Sequence, residues 1–209
     1  MNSTIWYIGD PLCSWCWGFS PQFEQLMDAL KGEAQLRIRM GGLRPGTREV
    51  MDERLKSFLS HHWHEVHHRS GQPFSFDIMK RDDFVYDTEP PCRAVIVMRH
   101  LQPAKEWAFF KAIQYAFYAQ NKDTNQTATY LPLVEELGVD WETFREKFES
   151  DTFKKKSWQE FAEVAELGIR GFPSVLLQTS GRVHPITLGY MQASLMLERA
   201  RAFMNKTVS

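Results

Sequence analysis

The chain has 209 residues, and its 25 basic and 26 acidic side chains leave a formal charge of −1, a balance that disfavours the basic surface needed by a nucleic-acid or anionic-lipid partner. With 43% apolar and 13% aromatic residues it is expected to bury a sizeable core in one or two domains, which excludes disorder as the dominant state. Its longest aliphatic stretch, residues 94–98, falls far short of the roughly 20 apolar residues that cross a bilayer, so no membrane partner is expected either.

Residues 4–8 (TIWYI) read as a short strand that ends at Gly9-Asp10-Pro11. Apolar residues at 19, 23, 26, 27 and 30 then follow helical spacing to a stop near Gly32, and residues 35–40 (QLRIRM) alternate with period two before Gly41-Gly42. The opening is β-α-β. The next hundred residues read as four or five helices: one over 48–69, a second from Pro90-Pro91 toward Leu101, a third opened by Pro103 and running to Tyr118, a fourth over 127–137, and a short one capped by Asp140. Asp151 is expected to cap a further helix whose buried face is Phe153, Trp158, Phe161, Val164, Ala165 and Leu167, with Gly168 as its stop. Residues 174–177 and 183–188 form a hairpin, and residues 192–204 a closing helix. The predicted order is β-α-β, helical block, α, β-β-α, an α/β fold with an all-helical insertion.

Three cysteines allow one internal disulfide at most, and a four-cysteine zinc site is impossible. Residues 1–30 carry no basic residue, and Asp10, Glu24 and Asp28 interrupt any apolar run, so they fail as a secretory leader and a cytoplasmic location is expected. In a reducing compartment, close cysteines point to redox or metal chemistry rather than to a staple. Cys13-Ser14-Trp15-Cys16 lies directly after the first strand and at the start of the first helix. There the unpaired N–H groups and the positive end of the helix dipole favour a thiolate. Cys13 is expected to be the nucleophile. Cys16, three residues on, can reach a mixed disulfide at Cys13 and release the partner by exchange, as the resolving thiol.

Pro21 sits inside the helix that follows, and Gly171-Phe172-Pro173 comes between a helix and a strand. Together with the cysteine pair, these features resemble a thioredoxin fold. The long helical insertion makes the whole chain similar to the DsbA-like family, in its cytoplasmic branch of FrnE-type and 2-hydroxychromene-2-carboxylate isomerase-like proteins. The resemblance implies a discontinuous thioredoxin-like domain, residues 1–45 and 151–209, around a helical domain of residues 46–150. It implies that Pro173 is cis, that Phe172 faces the cysteines and offers its backbone to an extended substrate, and that Ser14 and Trp15 also meet substrate. The activity implied is thiol–disulfide exchange on thiol- or disulfide-containing proteins or small molecules. No cofactor is needed beyond the Cys13–Cys16 couple, glutathione is a possible co-substrate, and the protein is a monomer or homodimer. The Ser14-Trp15 dipeptide stands where the strongly oxidising periplasmic enzyme has Pro-His, and with a cytoplasmic location, where dithiols are mostly held reduced, a reductase or isomerase fits better than a general oxidant.

Other patterns compete with this reading. The first is a glutathione-dependent isomerase or transferase acting on a small molecule, a branch in which serine commonly replaces the first cysteine. Residues 61–68 hold five of the seven histidines, and His64-Glu65-x-x-His68 matches a zinc hydrolase pattern, two imidazoles on one helix face with a carboxylate beside them. A solvated helix face is the simpler account, and no metal ligand is assigned. Cys92 is either a third redox thiol or a small buried apolar residue. Trp15, Trp17, Phe19 and Phe172 either line an apolar groove for a partner or are partly core.

Overall fold

The structure, a computed structural model, describes residues 3–205. Strand β1 (Ser3–Gly9) runs inside a four-stranded sheet of order β2-β1-β3-β4. It pairs parallel with β2 (Ala34–Met40) and antiparallel with β3 (Ser174–Thr179), which pairs antiparallel with β4 (Arg182–Leu188). The parallel pair needs a crossover, supplied by α1 (Ser14–Ala29). The antiparallel pair closes through the two-residue Ser180-Gly181 turn, both residues at positive φ, as in the tight turns that match strand twist. Pro185, which cannot donate to a ladder, falls on the edge strand β4.

Alternation along β1 divides its side chains between two faces. Ile5 and Tyr7 are wholly buried in the core that also holds Phe19, Phe23 and Leu26 of α1 and Met196 and Ala200 of α8 (Ala193–Asn205). Each such burial stabilises the fold by about 1.5–3 kcal/mol. Trp6 and Ile8 face the other way, toward Val164 of α7 (Asp151–Glu166).

Pro21 lies inside α1 and cannot donate to the Trp17 carbonyl four residues back. That carbonyl accepts instead from the Ser20 hydroxyl at 2.9 Å and the Gln72 amide at 3.2 Å.

Between β2 and β3 lie α2 (Glu53–Ser70), α3 (Glu89–Leu101), α4 (Glu106–Tyr118), α5 (Leu131–Glu136), α6 (Trp141–Glu149) and α7. The helix expected from residue 48 begins later, because Asp52 accepts a hydrogen bond from Leu55 N and fixes the start. Residues 71–88 are irregular apart from the single 3₁₀ turn Asp77–Lys80 and an isolated Val50–Val85 bridge. The α3 run 94–98 is fully packed, against α4, α6, α7 and β2.

Two expectations for α7 are corrected. Ser150, not Asp151, caps it, accepting from Phe153 N. Its buried face is Phe153, Ser157, Glu160, Phe161 and Val164, while Trp158, Ala165 and Leu167 are exposed. A charged residue goes inside because Glu160 has partners there. Its Oε1 accepts from Met40 N at 2.6 Å and Arg99 Nη2 at 3.0 Å, and its Oε2 from Arg99 Nη1 at 2.6 Å. Arg99 also donates to Glu106, so four elements meet at one ion network. Glu160→Gln keeps the shape and removes the charge. It is expected to cost about 1.5–3 kcal/mol, the range for hydrogen bonds to charged groups, read as a lower urea midpoint at unchanged slope.

Candidate active site

The turn between β1 and α1 is built around a buried carboxylate. Asp10 Oδ1 accepts from Leu12 N at 2.8 Å, and Oδ2 accepts from Leu43 N at 2.6 Å and from the Cys92 thiol at 3.4 Å. Burial pushes the Asp10 carboxyl up, and the two backbone donors pull against it. One side chain thus ties the cysteine turn to the segment after β2 and to α3. Tyr86, also buried, donates its hydroxyl to the Leu12 carbonyl and braces the turn from the other side.

This turn presents Cys13 as the N-cap residue of α1, in extended conformation, with Cys13 N donating to Asp10 O at 3.1 Å. Beyond it, the first amides of α1 have no partner within the helix. Cys13 is 5% exposed and Cys16 is 0% exposed, so only the first thiol reaches the surface. Both are free thiols. Burial pushes the Cys16 thiol well up, and its interactions with Cys13 raise it further.

Across from the turn, the Phe172–Pro173 peptide is cis, and the Cys13 thiol lies 3.5 Å from the Phe172 carbonyl, which accepts from it. The Phe172 ring lies over Gly41. A Cβ built on Gly41 would fall 2.0 Å from Phe172 Cζ, so any side chain there would displace the ring. Ser14, Trp15 and Phe172 are half-buried around Cys13, and Pro173 is buried. Trp15 meets Tyr190 edge-on at 6.0 Å, and Tyr190 carries the Arg69 guanidinium on its face at 4.9 Å.

The sequence-predicted residues separate clearly. Cys13, Cys16, Ser14, Trp15, Phe172 and Pro173 come together. Trp17 and Phe19 are core: Trp17 donates Nε1 to the Pro73 carbonyl at 3.1 Å and stacks on Tyr118. Cys92 is fully buried and its thiol is pushed well up by burial and by Asp10. The five clustered histidines lie on α2. His64 stacks on Phe76 at 4.2 Å, and His67 Nδ1 is 2.7 Å from the Gln72 carbonyl. Among the described residues, no three His, Cys, Asp or Glu side chains gather as a metal cage. Asp10, Gly41, Tyr190 and Arg69 were missed as site residues. An aspartate before Pro11 in a strand-to-helix turn is the one local signal that pointed to any of them.

A sheet of this order, with C-x-x-C at the start of its first helix facing an X-Pro loop, defines a thioredoxin-fold protein. The chain belongs to the DSBA-like thioredoxin domain family, whose family model matches residues 5–190. Among solved structures, a candidate protein disulfide isomerase from Nitrosomonas europaea is 34% identical over 99% of both chains, with a TM-score of 0.92. The cytosolic disulfide reductase DsbM from Pseudomonas aeruginosa is 26% identical over 98% of both chains, TM-score 0.78, and has also been solved with GSH. A 2-hydroxychromene-2-carboxylate isomerase shares the fold at 14% identity, TM-score 0.66, over 99% of both chains. No curated protein matches the chain. No helix among the described residues is long and apolar enough to cross a membrane.

Proposed function

We propose that this protein is a thiol–disulfide oxidoreductase that works as a reductase or isomerase of disulfides in the cytoplasm. The observation that carries the reading is the Cys13 thiol, 5% exposed at the start of α1 and 3.5 Å from the Phe172 carbonyl, with Cys16 fully buried behind it. Cys13 attacks a substrate disulfide, and Cys16 resolves the mixed disulfide. Phe172 and Pro173 hold the substrate backbone, while Ser14 and Trp15 border the attacked sulfur. Residues 1–45 and 151–209 form the redox domain, and the helical residues 46–150 shape the substrate side.

The similarity to a cytosolic disulfide reductase solved with GSH supports glutathione as the thiol that recycles the pair. It also supports the reducing direction. The isomerase on a small molecule shares only the fold, and both thiols of the exchange pair are present here.

Equilibration in glutathione buffers of graded potential, followed by alkylation and mass spectrometry, tests the proposal. A reversible Cys13–Cys16 bond with a midpoint near about −270 mV is expected, the range of cytosolic reductants, and not near about −120 mV, that of a strong oxidant. If no such bond forms at any potential, the reading is wrong.

A further inference from the structure

Tyr7 reads in the sequence as one more β-forming residue, and its ring behaves as core, 4.7 Å from Phe23 and 5.2 Å from Trp107 between ring centres. Its hydroxyl is another matter. The side chain is 0% exposed, and the oxygen makes no hydrogen bond of ordinary geometry. A buried hydroxyl left unpaired costs about 1–3 kcal/mol, a penalty that phenylalanine would avoid at the same place.

The reactive group next to that hydroxyl is the Cys16 sulfur. Both press on Gly9: a Cβ built there would lie 3.0 Å from Tyr7 Cζ and 3.0 Å from Cys16 Sγ. Gly9 is therefore the gap across which phenol and thiol meet. The other charged or titratable groups facing Tyr7 are Cys13 and Asp10, and beyond Cys16 the side chains that α1 and α4 set against it are the rings of Phe19, Phe23, Trp107 and Phe110. Asp10 already accepts from Leu12, Leu43 and Cys92.

We propose that the Tyr7 hydroxyl is the hydrogen-bond donor that holds Cys16 as a thiolate while it resolves the mixed disulfide, a role that rests on the reading of Cys13 and Cys16 as an exchange pair. In the mixed disulfide the substrate sulfur is bonded to Cys13 Sγ. Cys16 gives up its proton and attacks Cys13 Sγ. The Cys13–Cys16 bond forms, the bond to the substrate sulfur breaks, and the electron pair leaves with that sulfur, which takes up the proton. The cysteine pair is oxidised by two electrons and the substrate disulfide is reduced. Tyr7 keeps its proton throughout. It offers a donor to a sulfur that burial otherwise holds as a neutral thiol, and the hydroxyl pulls the Cys16 thiol down against that burial.

The reduced protein, mixed in stopped flow with dithiobisnitrobenzoate, separates the two steps as two releases of the coloured thiolate. The first reports attack by Cys13 and the second resolution by Cys16. In Tyr7→Phe the first release is expected at the wild-type rate. The second slows by about tenfold at neutral pH, and its pH profile moves up by about one unit, the equivalent of that factor. Fluorotyrosine at position 7 keeps ring and hydroxyl but is a stronger donor, and should move the profile down. A second release that keeps the wild-type pH profile in both variants overturns the proposal, whatever its rate, since loosened packing alone slows the step without moving its titration. A wild-type protein that shows the first release but never the second overturns the exchange reading itself.

Discussion

Cys13→Ser is expected to lose disulfide-exchange turnover by about a thousandfold or more, down to the background of the reagents, because no second nucleophile can replace it. Cys16 is sealed from solvent and Cys92 is enclosed in the core, so neither sulfur can meet a substrate disulfide. Cys16→Ser should fail differently. Cys13 still attacks, but the mixed disulfide has no resolving thiol, so a covalent adduct with glutathione or with a substrate protein accumulates. Mass spectrometry of the intact protein after incubation with oxidised glutathione distinguishes the two variants: no adduct in the first, one adduct per chain in the second. Turnover retained by Cys13→Ser would end the assignment of the nucleophile. The folded state should hardly change in either variant, which a thermal melt checks.

The second large effect is on stability. Asp10→Ala removes both acceptor oxygens and leaves the buried Leu12 amide and Cys92 thiol, and the partly buried Leu43 amide, without their partner. The buried Leu12 amide, orphaned at about 1–3 kcal/mol, and the partly buried Leu43 amide, at about 1 kcal/mol, give an expected loss of about 2–4 kcal/mol in chemical denaturation of the reduced protein. Turnover should fall with it, because the same carboxylate places Cys13 relative to the segment that supports Phe172. A loss below about 1 kcal/mol would show that the turn is held by other contacts, chiefly the Tyr86 hydroxyl on the Leu12 carbonyl.

Local chemistry carried most of the architecture into the sequence. The alternation of residues 35–40 is the pleat of β2, and the apolar positions at 19, 23 and 26 are the side of α1 that packs on the sheet. The cysteine pair was legible because its chemistry depends on spacing and on a helix start, both of which are local. The buried face of α7 was not. Hydrophobic spacing chose Trp158 and Leu167, but the structure turns Glu160 inward, since an arginine sixty-one positions away and a strand amide satisfy it. Trp158 instead lies half-exposed against Gly46, outside the core. Asp10 and Tyr7 were hidden for the same reason. What makes each of them part of the site is a partner brought in by folding: Leu43 and Cys92 for the carboxylate, and the Cys16 sulfur across Gly9 for the phenol.

The Phe172 ring resting on Gly41 also limits how such a protein can diverge. The residue that carries this ring meets the reactive sulfur through its carbonyl, so its size bears on how much room a substrate has, and the space beneath the ring is already filled to contact by a residue with no side chain. Position 41 cannot enlarge while an aromatic stands at 172, and a smaller residue at 172 would open a hollow that position 41 is free to fill. Selectivity at the rim of the thiol is therefore written at two places far apart in the chain, and a lineage that changes substrate by changing one of them inherits a constraint on the other.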